Sequence, residues 1–218
     1  MKYEAVLFDM DGTILDTITD LYDGVNRSLA MHGYPLRTME EIRIFVGGGA
    51  RQLMQRSLPD TVSEEELDAI TEEFRTWYGE NSCVKTCPYP GVEAAVEALQ
   101  KAGVKVAVVS NKPDVATKPM CKAYFGEKIY ALGESANCPR KPAPDMLYQG
   151  MQAIGVETCI YVGDSEVDVQ TAHNAGQQCL SVLWGFRTRE YLASEGATHF
   201  CDDPKNLVKC LKEMINNG

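Results

Sequence analysis

The sequence predicts an α/β fold: a Rossmann-like parallel sheet core with a helical cap inserted after the first strand. Residues 5–8 form a strand-length apolar run, and residues 16–84 then show helical patterns without a convincing strand. From residue 88 onward, apolar strand-like runs alternate with helical segments. Such alternation is typical of a parallel sheet that helices cover on both faces. We therefore expect an α/β core of residues 1–15 and 85–218, and a helical cap of residues 16–84.

The cap region contains a succession of helix signals. Its first segment has apolar residues at helical spacing and ends near Gly33 and Pro35. Two capping-box patterns follow, Thr38 with Glu41 and Ser63 with Glu66. The second pattern opens a helix whose apolar face is formed by Leu67, Ile70, Phe74 and Trp77.

The core region predicts five further strands. A helix over residues 92–99 ends at Gly103, and a β-rich run follows it. The predicted strands are residues 104–109, 129–132, 159–162, 179–183 and 199–201. Because ligand sites of open parallel sheets lie beyond the carboxyl ends of the strands, polar residues that follow strands are the candidates for a functional site.

Composition limits the kinds of partner. The chain has 218 residues, of which 44% are hydrophobic and 24% charged, and its formal net charge is -10. This acidity argues against nucleic acid or an anionic membrane as a main partner, because both require basic patches. The start of the chain shows neither a secretory segment nor a membrane span, and the eight cysteines form no dense framework. We therefore expect a cytoplasmic protein with reduced thiols.

Two carboxylates at the end of the first strand are the most informative feature. Side chains alternate in an extended strand, so Asp9 and Asp11 point the same way, and Gly12 allows a turn after them. Two like charges this close repel each other, unless a cation lies between them or one acid keeps its proton. A polar strand end that caps a following helix explains one aspartate but not the pair. The pattern therefore predicts an active site.

Three further polar clusters are expected at the same rim of the sheet. Ser110 and Asn111 follow the second long strand, Asp164 and Asp168 follow the strand of residues 159–162, and Lys141 lies in a proline-flanked loop. Each has an ordinary structural explanation when taken alone: a helix cap, charges at a helix N-terminus, or a solvated loop lysine. Together they supply the groups that phosphoryl transfer requires.

These residues resemble the four motifs of the haloacid dehalogenase superfamily. The matching segments are Asp9-Met10-Asp11-Gly12-Thr13, Ser110, Lys141, and Gly163-Asp164 with Asp168. The resemblance spans nearly the whole chain, and the helical insertion is similar to the small cap of that superfamily. It implies phosphate-ester chemistry, because dehalogenase members lack an acid at the position of Asp11.

The resemblance also implies a mechanism and a cofactor. Asp9 attacks phosphorus to give an aspartyl-phosphate, and Asp11 acts as general acid and then as general base. Mg²⁺ is expected on Asp9, Asp164 and the main-chain carbonyl of Asp11. Asp168 is expected to hold a metal-bound water or to orient Lys141.

The remaining predicted site residues contact the phosphoryl group. Ser110 and the amide of Asn111 are expected to bind its oxygens, and Lys141 is expected to offset their charge in the transition state. Gly12 and Thr13 are also expected to bind the phosphate.

The cap segment that starts at Phe45 bears on substrate identity. Gly48 and Gly49 lie in a run of three glycines before a helix, and Arg51 could bind a carboxylate bidentately. A flexible turn with a solvated arginine explains the segment equally well on physical grounds. The segment resembles the cap of phosphoglycolate phosphatases, which favours a small anionic phosphate ester, 2-phosphoglycolate first.

Alternative functions remain open at this stage. Within the enzyme class they are an inorganic pyrophosphatase and a broad sugar-phosphate or nucleotide phosphatase. In a different class, a phospho-receiver or scaffold module also places aspartates and a lysine at strand ends, although Asp11 argues against a stable phosphoaspartate. The sequence is compatible with a monomer or a homodimer.

Overall fold

The computed structural model describes residues 4–217 and confirms the α/β fold. Its main sheet has six parallel strands in the order β5-β4-β1-β6-β7-β8. These strands are β1 (Ala5–Phe8), β4 (Lys105–Pro113), β5 (Tyr130–Glu134), β6 (Cys159–Gly163), β7 (Gln178–Val182) and β8 (His199–Cys201). The two remaining strands, β2 (Leu15–Asp16) and β3 (Cys87–Pro88), pair antiparallel with each other.

Helices occupy the connections between these strands. The first four lie between β2 and β3: α1 (Ile18–Met31), α2 (Met39–Phe45), α3 (Gly49–Ser57) and α4 (Glu64–Asn81). The others are α5 (Val92–Lys101), α6 (Asp114–Phe125), α7 (Asp145–Ala153), α8 (Glu166–Asn174), α9 (Arg189–Ser194) and α10 (Leu207–Asn217).

The sheet is covered on both faces, as its apolar strands predict. The side chains of β1 alternate between two hydrophobic clusters, with Val6 and Phe8 in one and Ala5 and Leu7 in the other. The first cluster includes residues of α5, α6 and α10, and the second includes residues of α7 and α8. All four residues of β1 are at most 1% exposed, because the strand lies between β4 and β6 in the middle of the sheet.

The helical insertion has a hydrophobic cluster of its own. Residues from α1, α2, α3 and α4 pack around Val25, Ile42, Met54 and Ile70, and the core region contributes Phe186 to the buried part of that cluster. The capping box of Thr38 and Glu41 is present at the start of α2.

The base of the insertion is fixed by a buried aspartate. Asp20, in the first turn of α1, is 2% exposed and accepts hydrogen bonds from the backbone N–H groups of Lys85 (3.0 Å) and Thr86 (2.9 Å). The Thr86 hydroxyl donates to it as well, at 2.8 Å. These bonds join the segments that enter and leave the insertion. We expected no strand in residues 16–84, and the pairing of Asp16 with Cys87 corrects this at one position.

The structure extends one predicted strand by four residues. We expected the second long strand to end at Val109, but β4 continues to Pro113, with a register irregularity after Val109. Ser110 and Asn111 are therefore buried strand residues rather than helix caps. All eight cysteines are free. Over residues 4–217, no helix is long and apolar enough to cross a membrane.

Candidate active site

The predicted site residues meet at the carboxyl ends of three adjacent strands. Asp9 and Asp11 follow β1, Ser110 lies near the end of β4, and Asp164 follows β6. With Lys141 they line one cavity of 440 Å³, which also reaches α4 of the helical insertion. The cavity therefore has a polar floor on the sheet and a wall made by the insertion.

Asp9 forms an ion pair with Lys141 at the floor of the cavity. Lys141 Nζ lies 2.8 Å from Asp9 Oδ1 and 2.8 Å from Asp168 Oδ1, and it donates to the Tyr161 hydroxyl at 2.8 Å. Asp168 is completely buried, and its other oxygen accepts hydrogen bonds from the N–H and the hydroxyl of Ser165. Asp168 thus holds the ammonium of Lys141 against Asp9.

Burial changes the proton affinity of these groups. Desolvation, with a smaller effect of Asp168, raises the pKa of Asp9 from 3.8 to about 7, although Lys141 opposes the rise. Desolvation and the charges of Asp168 and Asp9 raise the pKa of Asp164 well above its usual range. Burial alone would lower the pKa of Lys141, but Asp168 and Asp9 outweigh it and raise that pKa. The site thus holds excess negative charge that a cation would neutralise.

Gly12 and Thr13 support Asp164 instead of facing a phosphate. The Thr13 hydroxyl donates to Asp164 Oδ1 at 3.0 Å, and the Gly12 N–H donates to the Leu15 carbonyl. Gly12 has φ +82°, and a Cβ there would lie 2.4 Å from Asp164 Oδ2. The prediction that both residues bind phosphate has no support from these contacts, because the Thr13 hydroxyl and the Gly12 N–H already have partners within the protein.

The acidic residues fit a hard divalent cation. Asp9, Asp164 and Asp168 each place a carboxylate oxygen within 4.8 Å of the other two, in the part of the chain that the structure describes. Carboxylate oxygens are the ligands that Mg²⁺ prefers. Because Asp9 and Asp164 line the cavity whereas Asp168 is completely buried, Asp9 and Asp164 are the better-suited ligands of the three.

Asn111 connects three parts of the site. Its side-chain amide donates to the Lys141 carbonyl at 3.0 Å and to the Gly47 carbonyl at 3.2 Å, and its Oδ1 accepts from the Lys141 N–H at 2.9 Å. The side chain thereby fixes the loop that carries Lys141. It also holds the glycine segment of the insertion against β4. Ser110, which is 2% exposed, lines the cavity beside it.

Lys112 and Tyr78 form a second buried pair that the sequence did not assign. Lys112 Nζ lies 3.0 Å from Asp11 Oδ1 and 2.6 Å from the Tyr78 hydroxyl oxygen, and the lysine side chain is 2% exposed. Burial alone would lower the pKa of Lys112, but Asp11 and Tyr78 raise it, so the side chain is a cation. The sequence did contain a signal for this pair, because Lys112 directly follows Ser110 and Asn111 at the end of an apolar run.

Arg187 is a second residue near the site that the sequence patterns did not predict. Its guanidinium is paired with Glu166 at 2.8 Å and donates to the Arg43 carbonyl (2.9 Å) and the Val46 carbonyl (2.8 Å). It therefore ties the loop after β7 to the end of α2. No local pattern around Arg187 pointed to this role, because the two carbonyls that it binds, those of Arg43 and Val46, lie more than 140 residues away in sequence.

Arg51, which we predicted to bind a carboxylate of the substrate, lies away from the cavity. Its guanidinium is paired with Glu64 and, at 2.8 Å, with Asp68, both exposed residues of α4. Gly49 lines the cavity, whereas Gly48 precedes α3 without lining it. The expectation that Arg51 contacts substrate is therefore not supported by its position, because its N–H donors are already directed at carboxylates of the insertion.

An aspartate pair, a lysine and a further aspartate around one cavity at the rim of a parallel sheet define a class of enzyme. The family model for haloacid dehalogenase-like hydrolases matches residues 6–182, and the chain belongs to this family. Together with the relatives below, the match makes the chain a phosphoric monoester hydrolase.

Several relatives are similar over nearly the whole chain. Phosphoglycolate phosphatase 1 of Pseudomonas aeruginosa is 32% identical over 94% of this chain and 78% of its own length. N-acetylmuramic acid 6-phosphate phosphatase of the same organism is 31% identical over 99% of this chain and 97% of its own length. A crystal structure from Lactobacillus delbrueckii subsp. bulgaricus, provisionally assigned as a phosphoglycolate phosphatase, has a TM-score of 0.91 and 36% identity, covering 97% of this chain and 99% of that chain.

Proposed function

We propose that this chain hydrolyses a small carboxylated phosphate monoester, 2-phosphoglycolate first, with Mg²⁺ and through an aspartyl-phosphate on Asp9. The observation that carries the proposal is the position of Asp9, which lies at the floor of the cavity with Lys141 on one oxygen. Relatives that are named phosphoglycolate phosphatases support the choice of substrate.

The first half-reaction transfers the phosphoryl group to the protein. A carboxylate oxygen of Asp9 forms a bond to phosphorus while the bond from phosphorus to the ester oxygen breaks. Asp11 gives its proton to that oxygen, and the alcohol leaves. Ser110 and the main-chain N–H of Asn111 bind the phosphoryl oxygens, and Lys141 offsets the charge that develops on them.

The second half-reaction releases inorganic phosphate. Asp11, now ionised, takes a proton from a water molecule that attacks phosphorus, and the bond between phosphorus and Asp9 breaks. Asp168 acts indirectly, because it holds Lys141 in place at 2.8 Å. Bound on Asp9, Asp164 and the Asp11 carbonyl, Mg²⁺ would neutralise the carboxylates and the phosphate and keep Asp9 ionised.

A second candidate substrate is a larger carboxylated sugar phosphate. The cavity volume of 440 Å³ lies within the range of roughly 300–1,000 Å³ that is typical of sites for drug-sized ligands, and 2-phosphoglycolate is much smaller than that. The relative named for N-acetylmuramic acid 6-phosphate favours the same alternative.

A substrate panel with Mg²⁺ tests the proposal. It compares 2-phosphoglycolate, N-acetylmuramic acid 6-phosphate, unsubstituted sugar phosphates, nucleotides and pyrophosphate by kcat/KM. We expect 2-phosphoglycolate to have the highest value. A preference for pyrophosphate or nucleotides would contradict the substrate assignment, and a stable phosphoprotein without turnover would indicate a receiver module instead of an enzyme.

A further inference from the structure

A buried lysine, Lys112, lies beside the proposed general acid Asp11 and has no role in the two half-reactions described above. Lys141 is engaged by Asp9 and Asp168, whereas Lys112 contacts Asp11 and Tyr78 on the side of the cavity next to the insertion. The two ammonium groups therefore serve different parts of the cavity.

The Lys112 ammonium and the Tyr78 hydroxyl can each donate one further hydrogen bond to a ligand. A lysine ammonium has three N–H donors, and Lys112 has two acceptors within the described part of the chain, Asp11 and the Tyr78 hydroxyl. Because Tyr78 accepts from Lys112, its own O–H proton remains to be donated. The Tyr78 side chain is 4% exposed, so both donors are shielded from bulk water but border the cavity.

The position of Asp11 relates these donors to the substrate. For Asp11 to protonate the leaving oxygen, its carboxylate must come within hydrogen-bond distance of that oxygen. In a 2-phosphoglycolate-like ester, one carbon joins that oxygen to the carboxylate. Lys112 Nζ lies 3.0 Å from Asp11 Oδ1, so a carboxylate placed one carbon beyond the leaving oxygen comes within reach of the ammonium.

We propose that Lys112, assisted by the Tyr78 hydroxyl, binds the carboxylate of the substrate's leaving group and so determines its selectivity. The inference rests on the proposed phosphatase function and deepens it. A charge-assisted hydrogen bond in a buried setting discriminates strongly, because a substrate without the anion leaves the two donors without a partner. Tyr78 belongs to α4, so the helical insertion contributes directly to substrate choice.

The test compares two esters that differ mainly in the carboxylate, 2-phosphoglycolate and ethyl phosphate. We expect Lys112→Met to lower kcat/KM for 2-phosphoglycolate on the order of 10- to 100-fold more than for ethyl phosphate, mainly through KM. Tyr78→Phe should give a smaller loss with the same selectivity. Lys118→Met, at an exposed lysine of α6, is the matched control and should leave the ratio unchanged.

A binding measurement separates recognition from catalysis. In an Asp9→Asn background, calorimetric titration with 2-phosphoglycolate should show weaker binding once Lys112→Met or Tyr78→Phe is added, whereas ethyl phosphate binding should change little. Because Tyr78→Phe removes a single oxygen, it keeps the test valid if Lys112→Met does not fold.

Three results would overturn the inference. Equal losses on both esters would make Lys112 a positioning residue for Asp11 only. A selective loss in Arg51→Ala but not in Lys112→Met would move carboxylate recognition to α3. A wild-type protein that hydrolyses both esters equally well would exclude carboxylate recognition while leaving the phosphatase function intact, and no hydrolysis of any ester would remove the function itself.

Discussion

Asp9 combines two properties that a nucleophilic carboxylate needs. It is buried at the end of a central strand, where bulk water is excluded, and it is paired with a lysine whose orientation is fixed by Asp168. Burial without that pairing would favour the neutral acid, which is a poor nucleophile. Lys141 counteracts this effect, and a cation held by the neighbouring carboxylates would do so as well.

Replacing Asp9 by asparagine should abolish turnover without unfolding the protein. An amide is a poor nucleophile and a weaker ligand for Mg²⁺, but it has nearly the same shape as the carboxylate. Phosphatase assays with 2-phosphoglycolate and thermal melts test this pair of expectations. Activity within tenfold of the wild type would contradict the role of Asp9.

The raised pKa of Asp9 predicts how stability depends on pH when metal is removed. The pKa of Asp9 is about 7 in the folded protein and about 3.8 in the unfolded chain. At a pH between these two values, the folded protein therefore holds a proton on Asp9 that the unfolded chain has released. Stability should therefore fall as pH rises from about 4 to about 7, by about 1.4 kcal/mol per pKa unit at most. Urea unfolding in EDTA measures it, with Asp9→Asn as the comparison. Parallel stability curves for the two proteins would contradict the shift.

At the scale of elements, sequence patterns located most strands and helices, matched the bounds of β1 and β8, and missed the ends of several others. Parallel strands are buried on both faces, so they show as apolar runs, and the run of residues 104–109 was recognised for that reason. Its extension to Pro113 was hidden because Ser110, Asn111 and Lys112 are polar. The two-residue strands β2 and β3 are too short to show periodicity.

One buried side chain, that of Asp20, makes several hydrogen bonds at the junction between the insertion and the sheet. Asp20 accepts hydrogen bonds from two backbone N–H groups, that of Lys85, which is shared between its two oxygens, and that of Thr86, and from the Thr86 hydroxyl. Asp20→Asn removes the charge and replaces one acceptor oxygen by a donor, so we expect a loss of about 1.5–3 kcal/mol in the free energy of unfolding. Urea unfolding measures this, and Asp60→Asn, at an exposed aspartate of the insertion, is the matched control. Equal stability of the two variants would contradict the role of Asp20.

At the scale of the whole molecule, one general rule predicted which distant residues lie together: ligand sites of open parallel sheets lie beyond the carboxyl ends of the strands. Asp9, Ser110, Lys141 and Asp164 lie far apart in sequence, and the structure places them around one cavity. The rule could not assign partners, since a residue's place on a strand end does not specify its contacts. Arg51 shows the limit: its sequence context matched a ligand, but its guanidinium is paired within the insertion.

Metal removal should silence the enzyme reversibly. We expect EDTA to abolish phosphatase activity and Mg²⁺ to restore it, because Asp9 and Asp164 then regain a neutralising cation. Ca²⁺ should inhibit, since it accepts more ligands at longer distances and would misplace the attacking oxygen. Steady-state assays after chelation test this expectation, and full activity in EDTA would contradict the proposed cofactor.

The central claim, that Asp9 carries the phosphoryl group between two half-reactions, is tested most directly by a burst experiment. In Asp11→Asn protein, p-nitrophenyl phosphate should still phosphorylate Asp9, because its leaving group needs little protonation, whereas hydrolysis of the intermediate lacks its general base. Rapid mixing should release about one equivalent of p-nitrophenol per protein molecule, followed by slow turnover, and the burst should be absent when Asp9 is also replaced by asparagine. Turnover without a burst and without phosphate on Asp9 after acid quenching would contradict the account.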